Sequence, residues 1–153
     1  MCHLFLHYNL LSIGSVEINK ITLSIWDDNY CGSNYGPKIE IFDRQTSYHG
    51  PFHRGTTLIW DNNGENRYGG KNLGGVSGFQ VYPRSCVSYL SPTCIWFRIV
   101  GGGGDDFCPK TLTIYCKDGT KYVTGYDMTD WVDSKKGGGW RKASKNGVIK
   151  WPR

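Results

Sequence analysis

The stretch TLTIYCKDGTKYVTGY, Thr111 to Tyr126, decides the fold class. In its first half Leu112, Ile114 and Cys116 alternate with Thr111, Thr113 and Tyr115, the period of a strand half-buried in a sheet. Lys117-Asp118-Gly119 is a hairpin turn signal, and TKYVTGY resumes as a second strand. Outward from this hairpin the same pattern recurs. KITLSIWD (Lys20 to Asp27), KIEIFD (Lys38 to Asp43), TTLIWD (Thr56 to Asp61), FQVYP (Phe79 to Pro83) and CIWFRIV (Cys94 to Val100) are short runs bounded by Gly, Asn, Asp and Pro. No stretch keeps apolar residues at helical spacing for three turns, and none is long enough to span a bilayer. With 21 glycines and a 14% aromatic content, the chain reads as an all-β antiparallel β-sandwich of about eight short strands. Only DMTDWVDSKK (Asp127 to Lys136) has room for a single helical turn.

The 153 residues make one domain. The net charge of +5 is placed unevenly. Lys135, Lys136, Arg141, Lys142, Lys145, Lys150 and Arg153 follow Asp133 with no acid among them, so the rest of the chain carries a net charge of −2. The expected organisation is therefore a sandwich over residues 17–133 and a loose basic tail over 134–153 that contains glycines and the tryptophans Trp140 and Trp151. Residues 1–16, MCHLFLHYNLLSIGSV, have the apolar weight of a secretory leader without its basic start. They read either as a weak leader or as a first strand with ragged ends.

Six cysteines without a C-x-x-C pair argue against a zinc site and for disulfides in an oxidising, secreted or luminal setting. Cys31, Cys86, Cys94, Cys108 and Cys116 are the candidates, while Cys2 would leave with a leader. Residues eight apart on one strand lie roughly 26 Å apart, so Cys108 and Cys116 cannot pair across TLTIY. Cys86 and Cys94 have the same spacing, but Ser91-Pro92 between them permits a hairpin staple.

The order of these features resembles a known family. FHRGTTLIW (Phe52 to Trp60) resembles the F-x-R-G-x-x-x-x-F strand of PLAT (lipoxygenase-homology) domains, and CGSNYGPKIEIFD (Cys31 to Asp43) and NLGGVSGFQV (Asn72 to Val81) resemble its flanking segments. CIWFRIVGGGGDDFCPKTLTIYCKDGTKYVTGYDMTDWVD (Cys94 to Asp133) resembles the strand, acidic glycine loop, strand and closing turn that follow. The chain departs from the family in four places. Phe107 replaces a Trp, Pro109 replaces an apolar strand residue, Asn34 stands for an Asp, and Thr129-Asp130-Trp131 replaces the Arg-Trp closure. The resemblance implies a sandwich whose end loops dock on membranes, in some members with calcium.

The residues of those loops suit that use on their own chemistry. DDNYCGSN and GGGGDDF contribute Asp27, Asp28, Asp105 and Asp106, carboxylates that together with glycine carbonyls can ligate calcium. Acids and glycines are also what solvated turns need. Tyr30, Tyr35 and Phe107 are the aromatics placed to meet a membrane or protein partner, whereas Trp26, Trp60 and Trp96 sit in strands and are expected in the core. Catalysis has little support. His49 and His53 flank Gly50-Pro51, which rules out the helix an H-x-x-x-H zinc site uses. GGVSGF misses the nucleophile-elbow pattern, and no loop precedes a phosphate-binding lysine. A glycosidase carboxylate pair has nothing to position it. The sequence thus points to a non-catalytic secreted module that binds membrane lipid or a protein through its end loops, with no strong case for nucleic acid. The rival readings are a small secreted effector or toxin that works through its basic tail, and a lectin that stacks sugars on exposed aromatics.

Overall fold

The computed structural model describes residues 14–62, 72–87, 92–133 and 135–150. Among them are ten strands and one short 3-10 turn, η1 (Gly74–Val76). The strands are β1 (Val16–Ile25), β2 (Lys38–Ile41), β3 (Arg44–Gln45), β4 (Thr57–Asp61), β5 (Gln80–Val81), β6 (Arg84–Ser85), β7 (Thr93–Val100), β8 (Pro109–Cys116), β9 (Lys121–Gly125) and β10 (Arg141–Lys145). Every strand pair is antiparallel, and the hydrogen-bonded order is β3-β2-β7-β10-β9-β8-β1-β4, with β5 beside β1 and β6 beside β7. The all-β, antiparallel expectation holds. Most of the leader segment, with Cys2, and the terminal Trp151 and Arg153 lie outside the described residues.

The hairpin read first is β8–β9, in register from Thr111↔Gly125 to Tyr115↔Lys121. Directly paired residues of an antiparallel ladder share a face. Leu112 and Ile114 point inward with Ile21, Leu23, Leu58, Ile95, Phe97 and Ile99, all buried. Ile18 and Ile21 are three residues apart yet both fully buried, because the β1–β8 register shifts between Ile18 and Lys20. The bulge returns the apolar side chains to one face. On the opposite face, Lys20 lies over the Tyr115 ring at 4.3 Å.

The sheet is curled, so the far ends of its path approach each other. Trp60 on β4 is fully buried, and its Nε1 donates to the carbonyl of Ser47, just past β3, at 3.0 Å. His49 meets the same indole edge-on, with ring centroids 5.6 Å apart. Trp60 is therefore core as expected, whereas Trp26 and Trp96 are only half-buried.

Three expectations need correction. The segment after Asp133 is not a loose tail throughout, because β10 runs between β7 and β9 in the middle of the sheet. Ala143 and Ser144 are small enough to be buried there, and Lys142 lies over the Trp96 ring at 4.6 Å. The Asp127–Lys136 stretch forms no helix among its described residues; Asp130 N–H donates to the Asp127 carbonyl in one turn, and Val132 bridges to Phe107. Cys116 forms no disulfide, being a buried free thiol.

Burial pushes the Cys116 thiol up to about 11, with Asp118 adding to the shift and the Thr120 hydrogen bond opposing it. Burial raises Tyr126 and Tyr122 as well. All three lose protons more readily when unfolded. For Cys116 the stabilisation is complete below the thiol's ordinary value of 9.0 and is lost as pH rises toward about 11, whereas for the two tyrosines it begins to fall only above their ordinary value of 10.0. Cys116 alone should account for about 1–2 kcal/mol, allowing for solvent screening at the end of β8. Urea unfolding at pH 8 and pH 10.5 checks this: the wild type should weaken at the higher pH, and Cys116→Ala should weaken less.

Candidate binding surface at the end loops

Three loops meet at one end of the sheet: 26–37 after β1, 46–56 between β3 and β4, and 101–108 between β7 and β8. The Cys31–Cys108 disulfide joins the first to the third, with Cα atoms 4.8 Å apart. Trp26 N–H donates to the Cys108 carbonyl at 3.0 Å, and Cys108 N–H donates to the Cys31 carbonyl at 3.3 Å. The first and second loops pair through Ser33 and Phe52, each donating its N–H to the other's carbonyl at 3.0 Å. Ser33 Oγ also donates to the Asp105 carbonyl at 2.9 Å, so one buried serine touches all three segments.

Glycine makes this closeness feasible. A Cβ on Gly103 would stand 2.7 Å from the Tyr35 ring, and one on Gly32 would stand 2.7 Å from the Phe52 carbonyl oxygen. Gly102 likewise lies against Gly36, leaving no room for a side chain. The run GGGGDDF is thus a packed wall against which Tyr35 rests, rather than a free corner. Packing of this kind holds an exposed aromatic in place without a large ordering cost on binding.

The predicted residues divide clearly. Tyr30 is 87% exposed and Tyr35 is half exposed, both on this end. Phe107 is fully buried, packed edge-on against Phe52 with centroids 5.4 Å apart, so it belongs to the core and not to a docking face. Its neighbour Cys108 is drawn inward by the disulfide, and Phe107 follows it. Asp27 and Asp105 line one open depression together with Ser33, Asn34, His53 and Arg54. Each of the two carboxylates has a protein partner. Asp27 pairs with Arg54 Nε at 3.4 Å, and Asp105 Oδ2 accepts the Asn34 N–H at 3.0 Å. Asp28 Oδ1 accepts the Asn29 N–H at 2.7 Å, and Asp106 is exposed. Among the described residues no group of three or more His, Cys, Asp or Glu side chains is placed to hold a metal ion.

Tyr30 has a further property that its sequence did not signal. Its φ is +64°, a left-handed conformation that costs a bulky residue about 1–3 kcal/mol. The turn is held by Cys31 N–H donating to the Asp28 carbonyl at 3.2 Å, next to the buried disulfide sulfur. Arg54 was legible only as part of a strand motif. It crosses to the first loop, where Nη1 donates to Asn29 Oδ1 at 2.7 Å. Its pair with Asp27 is solvent-exposed and contributes under about 1 kcal/mol.

The disulfide pairs are Cys31–Cys108 and Cys86–Cys94. The second is the hairpin staple that the eight-residue spacing permits, and the unpaired Cys116 agrees with the exclusion of Cys108–Cys116. No protein-family model and no curated protein matches the chain.

Proposed function

We propose that the chain is a non-catalytic, disulfide-braced binding module of an oxidising, extracellular setting, which engages a protein partner through its end loops. The observation that carries this reading is Tyr30, an 87%-exposed aromatic kept in a strained backbone conformation beside a buried disulfide. Strain at an exposed side chain contributes nothing to folding, and tyrosine with arginine is the pairing enriched at the centres of protein interfaces. Asp27, Asp28, Asp105 and Asp106 outnumber Arg54 at this end, which disfavours an anionic lipid surface and favours a partner with a complementary, cationic patch. Two disulfides support the extracellular assignment. A PLAT-like sandwich remains part of the proposal on the order of the sequence features.

Tyr30→Gly separates binding from folding. Glycine suits a φ of +64°, so stability by urea unfolding should stay level or rise by up to about 1 kcal/mol. Binding to a partner captured from extracellular fluid should weaken at least tenfold, and Tyr35→Ala should weaken it too. Capture unaffected by either variant would overturn the proposal. Calcium is a separate arm: saturable heat on calcium titration, lost in Asp105→Asn/Asp106→Asn, would assign the loops a metal. If Tyr30-dependent docking on phosphatidylserine vesicles then followed, the target would be a membrane.

A further inference from the structure

Strand β10 holds its place in the middle of the sheet with little apolar weight. It is hydrogen-bonded on both sides, to β7 from Arg141↔Phe97 to Ser144↔Cys94 and to β9 at Ser144↔Val123 and Lys145↔Tyr122. Of its five residues only Ala143 and Ser144 are buried, so a single methyl group is the apolar side chain it hides. Its other anchors are polar. Lys142 Nζ donates to the Cys86 carbonyl at 2.9 Å and lies over the Trp96 ring. Arg141 stacks on the Tyr126 ring at 3.9 Å, donates through Nη2 to the Gly125 carbonyl at 3.1 Å and lies 3.7 Å from Asp130. An element with few buried apolar contacts opens at a cost below that of global unfolding.

The segment that leads into β10 is built to straighten. Lys135, Lys136, Gly139 and Trp140 are exposed. Four hydrogen bonds fold the segment back. Gly137 N–H donates to the Asp133 carbonyl at 2.6 Å, and Gly138 N–H donates to the Ile99 carbonyl at 2.7 Å. Asp133 Oδ1 accepts from the Lys135 and Lys136 N–H groups at 2.8 and 3.1 Å. Released from these bonds, residues 135–140 reach about 20 Å.

Lifting β10 leaves a slot with an unpaired ladder on each wall, and only another strand satisfies both. The slot is selective. It demands small side chains at two successive positions, where Ala143 and Ser144 sit. Ahead of them it offers the Trp96 ring and the Cys86 carbonyl to an ammonium, and the Tyr126 ring and the Asp130 carboxylate to a guanidinium. RKASK meets each of these demands, and a second copy of the chain carries it. We infer that β10 is an exchangeable strand, and that two copies dimerise by each seating β10 between β7 and β9 of the other. The contacts within the slot are identical in monomer and dimer, so the hinge and the protein concentration set the balance.

The test refolds equal amounts of unlabelled and heavy-nitrogen-labelled chain together from urea, disulfides intact, at about 1 mM. Size-exclusion chromatography with light scattering should show a dimer, which is isolated and treated with a short amine-reactive cross-linker. Lys145 pairs with Tyr122, and Asn146 N–H donates to the Lys121 carbonyl at 2.7 Å, so Lys121 and Lys145 are neighbours across the β9–β10 ladder. In an exchanged dimer about half of the Lys121–Lys145 links should join a labelled peptide to an unlabelled one. Gly138→Pro removes the bond to Ile99 and drives Gly137 toward an extended backbone, so it should raise the dimer fraction about tenfold. The inference is overturned if neither protein dimerises, if every such link in the wild-type dimer joins peptides of one label, or if a folded Gly138→Pro protein dimerises no more than the wild type. Should the proline variant not fold, the wild-type cross-links decide.

Discussion

Replacing Cys31 and Cys108 with alanine should lower the unfolding free energy by about 4 kcal/mol and abolish binding at the end loops. The bridge closes a sequence separation of 77 residues, against 8 for Cys86–Cys94. On the chain-entropy relation these loops correspond to about 4.5 and 2.5 kcal/mol. The larger value is a substantial part of the roughly 5–15 kcal/mol that holds a typical domain folded. The native position of the bridge adds to the effect. It sits where Ile25 pairs with Pro109, at the mouth of the β1–β8 ladder, and Trp26 and Cys108 continue that ladder into the loops. Urea unfolding of the two double variants checks the ranking: Cys86→Ala/Cys94→Ala should cost about half as much. If both cost the same, the long bridge owes its effect to local packing and not to its span.

The second large effect is expected at Phe107, where alanine should cost about 3–5 kcal/mol. The ring has no exposed surface and meets Phe52 edge-on, while its N–H and carbonyl bridge to Val132. Truncation leaves a cavity where the second and third end loops meet, and loops held by close glycine contacts have little freedom to collapse into it. A docking residue would behave in the opposite way, with little change in stability and a large loss of binding. Comparison with Tyr30→Gly makes the distinction direct. The two aromatics should give opposite results, Phe107→Ala in the urea midpoint and Tyr30→Gly in partner affinity. A Phe107→Ala protein with wild-type stability would remove Phe107 from the core.

The long strands were readable because their residues alternate. KITLSIWD, CIWFRIV and TLTIYC each bury one face, and β1, β7 and β8 contain them almost as read. The two-residue strands β3 and β6 carry too few residues to show any period. RKASK has no apolar alternation at all and becomes β10 because β7 and β9 offer it a gap with an exposed ladder on each side. The gap admits small residues, and Ala143 and Ser144 fill it. At the site, the adjacency of the first and third end loops was implied only by the family resemblance, and Tyr30 and Tyr35, both exposed, were named as the aromatics beside them. Phe107 was misplaced because its acidic neighbours hid the inward pull of Cys108. Cysteine connectivity was bounded by strand length but not determined, since Cys31 meets Cys108 only through the pairing of β1 with β8.

The position of β10 bears on how the chain acquires its fold during synthesis. Strands β7 and β9 are made well before β10, yet they are joined laterally only through it. A nascent chain that has not yet delivered Lys145 therefore carries two half-sheets with open ladders facing each other. Vectorial folding from the amino terminus cannot close this sheet, and the final step must seat a strand between two preformed edges. Such non-local closure is slow, and the open edges are hazards for aggregation in the meantime.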